Sequence, residues 1–162
     1  MIIDLARDPA AAMEAADILV MGFDIRNVKL TVRNIRKEGD LRIPVGAVFA
    51  PKANSNVCSF VSVEARSAGL SATSAETVVY VPVAGLDTRS LFAPVGTSAV
   101  EYAAAGVREG DALAEFLTVA AARTSAWSAV QTGVWVLEKD LPRQELAGIK
   151  LRYSDAAAPG GF

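Results

Sequence analysis

The chain contains no histidine, and that single absence removes much of the chemistry a domain of this size could perform. It excludes Ser-His-Asp and Cys-His nucleophiles, His-ligated zinc and a histidine general base within this chain. What remains for chemistry is carboxylates, one thiol, Lys, Tyr and Ser. Asp111 and Glu115 lie one helical turn apart, a spacing that could hold a divalent cation through oxygens. The plainer reading is a solvated helix face whose acids suit the positive end of the helix dipole. Asp87 and Arg89 flank a turn after a strand, where such a pair is more often a turn salt bridge than an acid–base couple. Cys58 is the one cysteine, so an intrachain disulfide and a cysteine-cluster metal site are both ruled out. We expect it to be a buried, inert thiol, with an intermolecular disulfide or a reactive thiol as the alternative. Gly39, Gly46, Gly106 and Gly110 form neither G-x-G-x-x-G nor G-x-x-x-x-G-K, so no nucleotide site is indicated. We therefore assign no catalytic residue, cofactor or metal ligand, and a His-free enzyme built on Asp87, Arg89 or Asp111/Glu115 ranks last. Trp127, Gln131 and Trp135 stand out as packing or recognition residues: the two indoles as core anchors, Gln131 as a polar group bonded to backbone.

These side chains need a scaffold, and 162 residues suit one domain or one domain with a small helical annex. A hydrophobic fraction of 52 % and a mean hydropathy of +0.31 are those of a chain that buries a core rather than a disordered one. The net charge is −2 and the pI about 5.2, so nothing global draws the protein to nucleic acid. The first residues lack a basic region, and Asp4, Asp8, Glu14 and Asp17 interrupt any apolar run, so no secretory signal is expected and synthesis is placed in the cytoplasm. No stretch approaches the roughly 18 apolar residues of a membrane span.

Three periodicities follow one another. Residues 4–17 can form a short helix or an N-terminal arm, with Asp8 as N-cap and Pro9 at the first helical position. From residue 18 to 96 the pattern is β: Val28, Leu30 and Val32 alternate with Lys29, Thr31 and Arg33, and LRIPVGAVF follows a hairpin loop over 34–40. Pro44 lacks an amide hydrogen and Gly46 follows it, so the ladder is expected to break there. VCSFVSVEA and TVVYVPV are further strands, with residues 68–75 read as the turn between them. Together they predict an α+β, mainly β fold, an antiparallel sandwich or barrel of immunoglobulin-like type. Residues 97–138 form a helical lobe: the Ala-rich run over 98–126, broken at Gly106 and Gly110, reads as two short helices. Residues 127–137 are helix or strand, with Val130, Val134 and Leu137 on one helical face. Residues 139–153 return as a last strand, in which Ile149, Leu151 and Tyr153 alternate with polar residues, and 154–162 form a flexible tail.

Two stretches carry a resemblance. VPVAGLD and VQTGVW are similar to paired motifs of the thioester domains of Gram-positive surface adhesins, and VKLTVRNIRKEGDLRIPVGAVFAP resembles a strand-turn-strand segment of bacterial β-sandwich modules. In the thioester family an early Tyr-Cys motif and a later Gln, followed by a small residue, an aliphatic one and Trp, join side chains into an internal thioester. Gln131, Gly133, Val134 and Trp135 match the second motif. The first departs from it, because the position of the Cys holds Gly85, and Cys58 stands in a different strand. Over residues 18–138 the resemblance implies a β-sandwich with a helical insertion and the loss of covalent activity, with Gln131 left in a structural role.

Charge is unevenly spread: Arg26, Lys29, Arg33, Arg36, Lys37, Arg42 and Lys52 precede an acidic group of Glu101, Glu109, Asp111 and Glu115. Opposite patches on one subunit suit head-to-tail contacts, but a solvated sheet face is the leading reading of them. The leading expectation is a non-enzymatic structural or assembly protein, a homo-oligomer such as a virion component or filament. It would be joined through terminal arms, with Met1, Tyr153 and Phe162 as anchors between subunits. The other reading is an adhesin-like module that binds a protein or glycan without a covalent bond, through loops around Trp127, Gln131 and Asp87. Membrane and nucleic acid are not expected as partners.

Overall fold

The computed structural model describes residues 1–53, 57–73, 75–87, 100–123 and 125–138. In chain order the elements are β1 (Ile2–Asp4), α1 (Pro9–Ala15), β2 (Asp17–Gly22), β3 (Asn27–Arg33), β4 (Gly39–Ile43), β5 (Ala47–Pro51), β6 (Phe60–Ser62), β7 (Arg66–Leu70), β8 (Glu76–Gly85), β9 (Glu101–Val107), α2 (Ala112–Ala122) and α3 (Trp127–Leu137). Six strands close a barrel in the order β2-β3-β8-β6-β5-β9, and β1-β4-β7 form a separate sheet. Of the sandwich and barrel expected from the strand pattern, the larger sheet takes the barrel form.

The alternation of β3 determines its place. Val28, Leu30 and Val32 are fully buried, while Lys29 and Arg33 on the other face stay accessible. β6 and β8 behave differently. Phe60, Val81 and Val83 enter the barrel core, whereas Val61 and Ala84 join a second core with Leu113, Leu117, Val130 and Val134 of the two long helices. Both faces of these strands are covered, which is why their sequences lack a clean polar face.

β4–β5 and β6–β7 form one long antiparallel hairpin shared between the two sheets. Its register is common to both halves: moving five residues on from Ile43 to Val48 moves the partner five back, from Arg66 to Val61. The hairpin breaks at Pro44, as its missing donor requires, and the break is filled by a side chain. Buried Ser62 donates its hydroxyl to the Pro44 carbonyl and accepts the Ala47 amide at 2.9 Å. Ser62→Ala leaves both groups without that partner and should lower stability by about 1–3 kcal/mol in denaturant unfolding, while Pro44→Ala should not reproduce the loss.

Pro82 is accommodated in another way. β8 pairs with β3 as far as Pro82 and with β6 from Val83 onward, so the missing amide falls at the changeover between partners.

Three expectations are corrected here. Residues 68–70 belong to β7 rather than to a turn, because Ala68 and Leu70 cover the barrel while Ser67 and Gly69 face out. Residues 101–107 form β9 rather than a helix: pairing with both β2 and β5, and seating Tyr102 inside the barrel, outweigh the helix propensity of alanine. The N-terminal residues are not a free arm, since Ile2–Asp4 pair in parallel with β4 and the Met1 carbonyl accepts the Asp40 amide at 2.9 Å. The short helix α1 does form, with Asp8 capping Ala11 at 3.1 Å and Pro9 opening it. The expected returning strand and tail, with Tyr153 and Phe162, lie outside the described residues. No helix among the described residues is long and apolar enough to cross a membrane.

Candidate functional site

Gln131, Cys58 and Asp87 converge at the end of β8, where α3 packs against it. α3 presents Val130, Val134 and Trp135 to the interior, and Leu137, the last residue of the helix, turns outward at 36 % exposure. Gly133 admits the ring of Phe116 from α2. A Cβ at position 133 would lie 2.3 Å from that ring, so the close approach is made by a side chain rather than by a backbone.

Gln131 is 4 % exposed and meets Gly85 with both ends of its amide. The Gly85 N–H donates to Oε1 at 2.7 Å, and Nε2 donates to the Gly85 carbonyl at 2.8 Å. This pair ties helix to strand across 46 positions of sequence. A Cβ built on Gly85 would stand 3.3 Å from the Cys58 sulfur and 3.6 Å from Gln131 Oε1. Thiol, carboxamide and glycine therefore pack against one another at one buried point. Asp87 follows on a half-buried bend, its carbonyl 3.4 Å from the same point.

Tyr102, which residue type and spacing did not single out, completes the cluster. Its hydroxyl donates to the Cys58 carbonyl at 3.0 Å, and its ring lies 5.3 Å from that of Phe60. Burial above all, then Cys58 and Asp87, holds the phenol well above its ordinary pKa. A raised folded-state pKa adds stability that is complete below the unfolded value near 10 and is lost as pH rises beyond it. The unfolding midpoint should therefore fall above about pH 10. Tyr102→Phe should cost about 1 kcal/mol at neutral pH and flatten that alkaline fall.

Trp127 is half-buried: its indole N–H donates to the Val83 carbonyl at 2.8 Å, and the Arg26 guanidinium lies 5.0 Å above its ring. Trp135 is 2 % exposed and presents nothing to a ligand. Arg89 lies outside the described residues. Asp111 caps α2 through the Ala114 amide at 2.8 Å and binds Arg108, which also binds Glu138. The Ala114 amide first, then Arg108, lower its pKa. Asp111 thus serves the start of α2, where Glu115 also lies in the first turn, and no group of three or more metal-ligating side chains occurs among the described residues.

The basic stretch is largely paired: Arg33 with Glu76, Arg36 with Asp17, Lys37 with Glu14 and Lys52 with Glu101. No family model matches this chain, and no curated protein or solved structure does either.

Proposed function

We propose that the chain is a non-enzymatic recognition module of the adhesin-like type, in which a hydrogen-bonded Gly85–Gln131 pair stands in place of a thioester. The observation that carries this reading is the buried two-point contact between Gln131 and the glycine that replaces the family's cysteine. Binding is then non-covalent, to a protein or glycan. Gly85 has no positive φ, so its backbone accepts a side chain. A cysteine placed there would have its Cβ 3.6 Å from Gln131 Oε1, with the Cys58 side chain, 3.3 Å away, having to give way slightly.

The test is Gly85→Cys made together with Cys58→Ser, which prevents a disulfide between the two positions. The new thiol should add to the Gln131 side-chain carbonyl carbon and expel ammonia. Intact-mass spectrometry should then read the variant lighter by one ammonia, with methylamine adding back to it. The native chain should show its full sequence mass. A folded variant that retains its ammonia and ignores methylamine would overturn the reading, as would ammonia loss from the native chain.

A second reading, self-assembly into a virion component or filament, is favoured by an exposed apolar face on the barrel. Leu19, Phe23, Val78 and Tyr80 are each 39–48 % exposed, with the rings of Phe23 and Tyr80 5.0 Å apart edge to face. Light scattering at micromolar concentration separates the two. An assembly that Phe23→Ser with Tyr80→Ser dissolves supports the second, and a monomer rejects it.

A further inference from the structure

Two open cavities adjoin along the bend of the long hairpin, and Arg7 borders both. The larger, about 740 Å³, reaches from Ile43 and Pro44 to Arg42, Arg66 and Ser67. The smaller, about 570 Å³, continues from Val45 and Gly46 to Val107, Glu115 and Val119. Both volumes are in the range of ligand sites. Arg7 lines both, and residues 43–46 carry the chain from the lining of one to that of the other, so together they form a groove along the bend where Pro44 turns the strand from one sheet into the other.

Most charge on its walls is already neutralised. Arg7 binds Asp4 and Glu109, Arg66 binds Glu64, and Arg108 binds Asp111 and Glu138. Asp4 lies opposite Arg42 in the β1–β4 register, but its carboxylate is turned to Arg7 and to the amides of Ala6 and Arg7. Two lining charges have no partner among the described residues, and they differ in sign: Arg42 in the larger chamber and Glu115 in the smaller. No aromatic ring lines either chamber, so neither offers the stacking platform that a sugar ring uses. Val45, Val107 and Val119 give the smaller chamber an apolar wall suited to the methylene stem of a long cationic side chain.

We propose that this groove binds an extended segment of a partner protein, which places an acidic side chain against Arg42 and a lysine beside Glu115. The inference rests on the recognition reading and names its partner class. The mass measurement on Gly85→Cys tests that reading without touching the groove, so either can fail alone.

The probes are short acetylated and amidated peptides with one Lys and one Glu separated by one to four Ala, in both orders, titrated into the full chain and followed by amide NMR. At least one spacing should shift the amides around Glu115–Val119 and those around Arg42 and Ser67 together. Replacing its Lys by norleucine, or its Glu by Gln, should weaken binding about three- to tenfold. Glu115→Gln and Arg42→Gln should do the same in the protein, and added salt should weaken the native complex. Both positions are exposed, so the variants should keep the native circular dichroism. The proposal is overturned if no peptide shifts both chambers at millimolar concentration, if the two variants bind like the native chain, or if the shifts map to the face of Phe23 and Tyr80.

Discussion

Gln131→Leu should destabilise the protein by roughly 2–5 kcal/mol, because it leaves both the N–H and the C=O of buried Gly85 without partners in a space that water does not enter. Against a total stability of about 5–15 kcal/mol, that is a large share. Gln131→Glu separates this cause from simple loss of packing. A neutral carboxylic acid can accept the Gly85 amide and donate to the Gly85 carbonyl, as the carboxamide does. A carboxylate cannot donate, and its burial is costly, so the folded state should raise the pKa of the new acid above the unfolded value of about 4.3. By linkage, stability is then retained below about pH 4 and lost as pH rises through the raised value. Urea midpoints at acid and neutral pH, measured relative to the native chain, should diverge in that direction. Equal deficits at both pH values would mean that the hydrogen-bonded pair is not what Gln131 contributes.

Trp135→Ala should cost about 3–5 kcal/mol, the range for removing a fully buried large aromatic side chain. Trp135→Phe should cost much less, about 1–2 kcal/mol, because the indole N–H finds no acceptor among the described residues and no hydrogen bond is lost with it. Thermal and chemical denaturation of the pair measure the difference. A phenylalanine variant as damaged as the alanine one would show that the N–H has a partner of real strength. The comparison also bears on recognition: Trp135 acts by filling volume, so neither variant should alter binding beyond its effect on stability.

How much of this was legible beforehand depended on whether local pattern and tertiary demand agreed. At β3 they agreed, because one face of the strand is buried and the other wet, and strict alternation records that. The Asp8–Pro9 helix start and the break at Pro44 were equally readable, since each follows from a hydrogen-bond donor that is either satisfied or missing. At Glu101–Val107 they disagreed. Three alanines favour a helix locally, yet the barrel closes only if this segment pairs on both sides. The site showed the same division. Gln131 was legible as a polar residue among apolar ones that must find backbone partners. That the partner is Gly85, with Cys58 alongside and Tyr102 bonded to the Cys58 carbonyl, was not legible, because β8, α3, β9 and the loop before β6 bring them together.

Composition and short-range pattern alone determined the chemistry this chain can draw on, its mainly β character, the strand of Val28, Leu30 and Val32, and the helix start at Asp8. Those properties depend on side-chain type and on neighbours within a few residues. Only the tertiary structure decided the closed barrel, the hairpin shared between two sheets, the clamp of Gln131 on Gly85 and the pairing that neutralises most of the basic stretch. Each of these joins groups far apart in sequence, and their energies come from burial and hydrogen bonding that exist only once the chain has folded.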